Sequence, residues 1–84
     1  MAQIDLVIDR RDEVINLCEM KYSLNPYDIT KQYLDKLLER RELFREMTHT
    51  HKALHLTFIT VNGLKQNAQS YMIQNQVTAD DLFS

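Results

Sequence analysis

The segment from Val14 to Tyr22 constrains the fold more than any other part of the chain. Its side chains are apolar on both faces, apart from Asn16, Glu19 and Lys21. A strand of this kind belongs in the middle of a sheet that is covered on both sides. The two charges inside it therefore need an explanation, because burying a charge is costly.

Three further segments predict strands that accompany this one. Gln3 to Asp9 has Ile or Leu at every second position, which predicts a first strand joined to the central strand by a polar hairpin loop at residues 10–13. Ala53 to Val61 is rich in Leu, Thr, Phe and Ile and predicts a third strand. Tyr71 to Val77 predicts a fourth strand at an edge of the sheet.

A long helix is predicted between the second and third strands, from Thr30 to Met47. Apolar residues recur there at helical spacing: Tyr33, Leu34, Leu37, Leu38, Phe44 and Met47. Two starts are open at this stage. Asn25 caps and Pro26 opens the helix, or Thr30 caps a helix that begins at Lys31.

The order strand, strand, helix, strand, strand predicts an α/β fold: a mixed sheet of about four strands with one long helix packed on it. The strand–helix–strand section predicts a right-handed crossover between two parallel strands. Thr78 to Asp81 resembles a capping box and predicts a last helical turn that docks Leu82 and Phe83. One helix covers one sheet face, so we expect the other face to be covered from outside the chain.

Composition limits the class of protein. The 84 residues predict a single domain spanning residues 1–84, and a net charge of −2 argues against a general nucleic-acid binder while leaving a local basic patch open. The sequence has a single cysteine, Cys18, and no apolar run long enough to span a membrane. Both features favour a cytoplasmic protein that does not associate with a membrane. The abrupt entry into a strand predicts an excised fragment of a larger protein, with a complete short gene as the alternative.

The charges of Glu19 and Lys21 lie two residues apart and therefore project to the same face of the strand. If paired residues of the hairpin have numbers that sum to 24, Asp5 lies opposite Glu19, with side chains about 5 Å apart. A divalent cation such as Mg²⁺ or Mn²⁺ would relieve the repulsion between two carboxylates at that distance. An alternative is that Glu19 and Lys21 pair with each other or with neighbours where the strand emerges into solvent.

A bound metal ion in that position can activate a water molecule and stabilise charge on a phosphodiester. Lys21 would then orient or deprotonate the water, or neutralise the transition state.

The hairpin "QIDLVIDR" and "VINLCEMKYS" resembles the catalytic hairpin of the PD-(D/E)xK nuclease superfamily. Asp5 matches the first acid, with Ile4 where the motif prefers Pro, and Glu19-Met20-Lys21 matches the (D/E)xK element. Over nearly the whole chain, "CEMKYS", "ITKQY", "FITVNGLK" and "NQVTADDLF" resemble the C-terminal domain of prokaryotic, archaeal-type ATPases of the AAA+ type. In that family a P-loop ATPase precedes a nuclease-like domain.

This resemblance implies a partial restriction-endonuclease-like core with a metal-dependent site. Asp5, Glu19 and the carbonyl of Met20 would hold Mg²⁺ or Mn²⁺, and Lys21 would be the catalytic lysine. If active, the domain would be a nuclease that binds or cleaves nucleic acid phosphodiesters. The alternative function is a non-catalytic interaction or regulatory module of the ATPase. The implied partners are nucleic acid, the missing N-terminal ATPase part and a second copy over the uncovered sheet face.

The chain departs from that family in two respects. The helix and strand that normally precede the first acid of the superfamily core do not precede Asp5. The sequence has no GxxxxGK[ST] motif, and its single glycine is Gly63, so we expect neither a nucleotide site nor ATPase activity in this chain.

Basic and aromatic residues around the helix suggest further contacts with nucleic acid. Lys31, in the first turn, is a candidate because it follows closely on the strand that carries Lys21. Lys36 and Arg40 share a face, but acids interleave with them in sequence and favour a solvated helix surface. Three tyrosines can stack bases, although their spacing favours packing of the helix on the sheet: Tyr22, Tyr27 and Tyr33.

Overall fold

A computed structural model of the chain describes residues 4 to 83, without the side chains of the last two. Its elements are β1 (Leu6–Asp9), β2 (Val14–Lys21), α1 (Lys31–Thr48), β3 (Ala53–Thr60), a turn of 3₁₀ helix (Ser70–Met72), β4 (Asn75–Thr78) and α2 (Ala79–Phe83). The strands form one sheet in the order β1-β2-β3-β4, in which β1 is antiparallel to β2 and the other pairs are parallel. This confirms the predicted α/β fold with a mixed four-stranded sheet and one long helix.

The start of α1 follows the second of the two predicted alternatives. Thr30 is the N-cap, and its hydroxyl oxygen accepts the backbone N–H of Tyr33 at 3.1 Å. A start at Asn25–Pro26 is wrong, because the chain that follows these residues pairs with another loop before the helix begins. Tyr27 forms an isolated parallel bridge with Leu64, which lies beyond the end of β3.

The core lies between α1 and one face of the sheet. That face carries the odd-numbered residues of β2 and the even-numbered residues of β3. The buried apolar residues form one cluster: Ile15, Leu17, Ile29, Leu34, Leu37, Leu54, Leu56 and Phe58. Glu19 and Lys21 are odd-numbered and therefore project from the same face, beyond the apolar part of β2.

The opposite face of the sheet carries no Asp, Glu, Lys or Arg at its strand positions, and three residues at its centre are buried: Asn16, Cys18 and Thr57. Side-chain alternation places twelve residues there: Leu6, Ile8, Val14, Asn16, Cys18, Met20, Ala53, His55, Thr57, Ile59, Asn75 and Val77. Near its centre the Asn16 amide donates to Thr57 Oγ1 at 2.7 Å and to Asn75 Oδ1 at 3.1 Å. None of the helices in residues 4–83 is long and apolar enough to cross a membrane.

The fourth strand is shorter than predicted and lies later in the chain. Residues 70–72 form a 3₁₀ turn, and β4 begins only at Asn75. Local hydrogen bonds explain this difference: Asn67 Oδ1 accepts the N–H of Ser70 at 2.8 Å, and the Ser70 hydroxyl donates to the Asn67 carbonyl at 3.0 Å. Such side chain–backbone bonds favour a turn over an extended strand.

The structure shows the reciprocal bond of the predicted capping box at the end of the chain. Asp81 Oδ2 accepts the N–H of Thr78 at 2.9 Å, so an aspartate performs the reciprocal bond that a glutamate usually makes. The expected docking of Leu82 and Phe83 concerns side chains outside those described, and Gln3, the predicted start of the first strand, also lies outside the described residues.

Candidate functional site

The pairing of β1 with β2 has the register that the two-carboxylate hypothesis requires. Leu6 lies opposite Cys18 and Val7 opposite Leu17, so the numbers of paired residues sum to 24. Asp5 immediately precedes β1 and therefore lies across from Glu19. The site thus forms where the hairpin opens, at the end of β2 that is remote from the connecting loop.

Asp5 is tied to β2 by a hydrogen bond from the backbone. The Met20 N–H donates to Asp5 Oδ2 at 2.9 Å, in the place where a further residue of β1 would otherwise accept it. The N–H and C=O of one strand residue point to the same neighbouring strand. The Met20 carbonyl oxygen therefore also faces the side on which Asp5 lies.

Glu19 is buried, with 6% of its surface exposed, and it contacts a helix side chain as well as Asp5. Its Oε1 lies 3.3 Å from Nη1 of Arg40 on α1. Burial raises the pKa of Glu19, and the negative charge of Asp5 raises it further, while the positive charges of Arg40 and Lys21 act in the opposite direction. The net upward shift of the Glu19 pKa means that the folded chain favours the protonated form of this carboxyl group.

Lys21 is held against two aromatic rings. Its Nζ lies 4.6 Å from the ring centroid of Tyr33 and 5.7 Å from that of Tyr27. Burial alone would lower the pKa of Lys21, but contact with Tyr33 and the charge of Glu19 outweigh it, so the pKa is raised. Lys21 is therefore protonated at neutral pH and acts as a cation, which disfavours its suggested role in deprotonating water.

The tyrosines divide into a packing pair and an exposed residue. Tyr27 and Tyr33 pack against the fully buried Phe58, with ring centroids 6.0 and 6.4 Å from its ring. This confirms that these two pack the helix on the sheet, and they also support Lys21. Tyr22, by contrast, is 85% exposed.

The charges of α1 are interleaved in sequence but separated in space. A helix turns about 100° per residue, so Lys36 and Arg40 lie within about 60° of the direction of Tyr33. Four acids lie about 180° to 240° from that direction: Asp35, Glu39, Glu42 and Glu46. The flank of α1 that faces the site is therefore basic.

Lys31, the predicted nucleic-acid contact, is exposed but lies about 160° around the helix from Tyr33. Arg40 reaches the site instead, and its role was missed because its neighbours in sequence are charged. The sequence did contain one indication of this contact. Arg40 follows Tyr33 by seven residues, and this spacing places the two side chains on the same helix face within about 20°.

The donor atoms at this site fit a hard divalent cation held with few protein ligands. Asp5 and Glu19 supply carboxylate oxygens and Met20 a carbonyl oxygen, which are the ligand types that Mg²⁺ and Mn²⁺ prefer. Within residues 4–83 no group of three or more His, Cys, Asp or Glu side chains could hold a metal ion. An ion at this site would therefore take its remaining ligands from water and substrate, as Mg²⁺ commonly does.

The candidate site is therefore defined only by the contacts among Asp5, Glu19, Lys21 and Arg40. The resemblance to PD-(D/E)xK nucleases remains a prediction from sequence motifs. No protein family matches the chain, and no curated protein or solved structure matches it significantly.

Proposed function

We propose that the chain is a nuclease-like domain that binds a divalent metal ion, Mg²⁺ or Mn²⁺, and a phosphodiester of nucleic acid at the end of the β1–β2 hairpin. The observation that carries this proposal is the approach of two carboxyl groups, Asp5 and Glu19, beside a lysine on one sheet face. Two like charges in a partly buried position repel each other, and a divalent cation relieves that repulsion.

Each residue has a separate task in this proposal. Asp5, Glu19 and the Met20 carbonyl would hold the ion, and a bound ion would supply an activated water and charge stabilisation at the phosphate. Lys21 offers a fixed positive charge to a phosphate oxygen, because the rings of Tyr27 and Tyr33 restrict its position. The chain binds the phosphodiester through these groups whether or not cleavage follows.

A different observation favours a second proposal, in which the chain is a non-catalytic interaction module of an ATPase. Arg40 already contacts Glu19, and Lys21 already packs on Tyr33. In the part of the chain that the structure describes, every buried side-chain nitrogen or oxygen atom has a hydrogen-bond partner. In this alternative the charged residues stabilise the hairpin and helix contact, and no ion binds.

Titration with Mn²⁺, followed by the electron paramagnetic resonance of the free ion, separates the two functions. We expect the wild-type chain to bind one Mn²⁺ with a Kd on the order of 10⁻⁴ to 10⁻³ M, because few charged ligands hold the ion. Asp5→Asn should weaken binding by about tenfold or more, since it removes one charge from the ligand set. Asp5 is exposed, so the variant should fold normally.

Asp12→Asn is the matched control for this titration. Asp12 is an exposed aspartate at the opposite end of the same hairpin, where it pairs with Arg10. Its variant should bind Mn²⁺ like the wild type. If the wild type binds no Mn²⁺ at several times the expected Kd, the proposed metal site is contradicted. The interaction module then remains as the proposed function.

A further inference from the structure

Arg40 links the helix to the candidate site through Glu19. Its Nη1 lies 3.3 Å from Glu19 Oε1, and its side chain is 27% exposed while that of Glu19 is buried. A guanidinium carries five N–H donors in a planar fork. The single contact with Glu19 uses one of these donors, and the partial exposure of the side chain leaves Arg40 in contact with solvent.

We propose that Arg40 is an exchangeable counter-ion: it neutralises Glu19 when no metal ion is bound, and it contacts a phosphate oxygen of the nucleic acid when a divalent ion is bound. This inference rests on the proposed function and adds a residue that couples its two ligands. Arg40 and a divalent ion require the same carboxylate, and their like charges disfavour simultaneous binding.

The released guanidinium would have a suitable anion close by. Arg40 lies on the same flank of α1 as Tyr33, which holds Lys21, so both cations border one side of the site. The acids of α1 point about 180° to 240° away from Tyr33 and do not compete for the guanidinium there. Arginine recognises phosphate with two parallel hydrogen bonds, which suits a contact that forms after Glu19 is released.

The exchange predicts that Arg40 has opposite effects on the affinity for the metal ion and on the affinity for nucleic acid. As the competitor of the ion it weakens metal binding, and as a phosphate contact it strengthens binding of nucleic acid. A residue with a purely structural role would not affect the two affinities in opposite directions.

Arg40→Gln tests this inference, with Arg41→Gln as the control. Arg41 is the adjacent residue, has the same side-chain exposure of 27% and pairs with Glu42 at 3.5 Å. Arg40→Gln should bind Mn²⁺ about five- to tenfold more tightly, because a positive charge that contacts Glu19 is removed. In the presence of Mn²⁺ it should bind a fluorescein-labelled DNA oligonucleotide about tenfold more weakly, because a charged hydrogen-bond donor is lost.

Two further measurements keep the test decisive. Arg41→Gln should change each affinity by less than about twofold, as expected for a surface pair. Arg40→Lys keeps the charge without the planar fork, so it should retain wild-type Mn²⁺ affinity and bind DNA more weakly. In nuclear magnetic resonance spectra, the Arg40 Nε–Hε signal should shift when Mg²⁺ is added to the wild type.

The outcomes distinguish this inference from the proposed function. If the wild type binds no Mn²⁺, the proposed function fails and the inference fails with it. If the wild type binds Mn²⁺ but Arg40→Gln does not bind it more tightly, the metal site stands and the exchange is overturned. An Arg40 signal that does not move during the Mg²⁺ titration overturns the exchange as well.

Discussion

Glu19→Gln is expected to make the metal-free protein more stable at neutral pH and to remove most of its affinity for Mn²⁺. Burial and the charge of Asp5 raise the pKa of Glu19 in the folded chain, whereas the unfolded chain has the ordinary carboxyl pKa. The folded state therefore holds a proton more tightly than the unfolded state. Ionising Glu19 at neutral pH opposes folding, and glutamine does not ionise.

The sign of the pH dependence follows from this difference in proton binding. Between the ordinary pKa and the raised pKa of Glu19, the folded state binds more protons, so the wild-type free energy of unfolding falls as pH rises. The loss is complete above the raised pKa, and each unit of pKa shift corresponds to about 1.4 kcal/mol. The contribution of this residue to the pH profile should be absent in Glu19→Gln.

Urea denaturation between about pH 4 and pH 8 measures this effect. Glu42→Gln is the control, because Glu42 is an exposed glutamate of α1 and should leave the wild-type profile unchanged. Adding Mn²⁺ at ten times its Kd should stabilise the wild type by about 1.4 kcal/mol and leave Glu19→Gln almost unaffected. A Glu19→Gln protein that is still stabilised like the wild type would exclude Glu19 as a ligand.

Phe58→Ala should lower the free energy of unfolding by about 3 to 5 kcal/mol, as expected for removing a buried aromatic ring. Phe58 is fully buried and packs against both Tyr27 and Tyr33. Small domains are stable by about 5 to 15 kcal/mol, so this loss would remove a large part of the total. The same substitution removes the support of the rings that hold Lys21.

Thermal and urea unfolding of Phe58→Ala, compared with Met47→Ala, measure the contribution of the core. Met47 is an exposed residue of α1, and its truncation should change stability by less than about 0.5 kcal/mol. If Phe58→Ala lost no more than Met47→Ala, the ring would not be the centre of the core that the structure shows.

Much of the fold follows from residue patterns of short range. The helical spacing of apolar residues predicted an α1 that begins and ends within one residue of Lys31–Thr48, because one buried stripe determines it. The fourth strand was misplaced because the bonds between Asn67 and Ser70 act locally and leave little trace in apolar periodicity. Its pairing with β3 is parallel, which depends on how the intervening chain turns.

The sequence predicted the residues that the β1–β2 hairpin contributes to the candidate site. It did not predict the contact that α1 makes there through Arg40. Asp5, Glu19 and Lys21 follow from side-chain alternation and one hairpin register. The contribution of Arg40 depends on how α1 is rotated on the sheet, which the packing of Tyr33 and Leu37 against other elements determines. The spacing of seven residues places Arg40 and Tyr33 on one helix face, and the rotation of α1 on the sheet determines which residues that face meets.

The hairpin loop at residues 10–13 has a chemical consequence although it lies at the far end from the site. Its length sets which residue of β1 faces which residue of β2, and a shift by one residue moves every side chain of β1 to the other sheet face. Asp5 would then point away from Glu19, toward the face without charges. A one-residue deletion in this turn would thus separate the two carboxylates without changing either residue. The length of a loop that contacts no ligand would in this way determine the affinity for the ion.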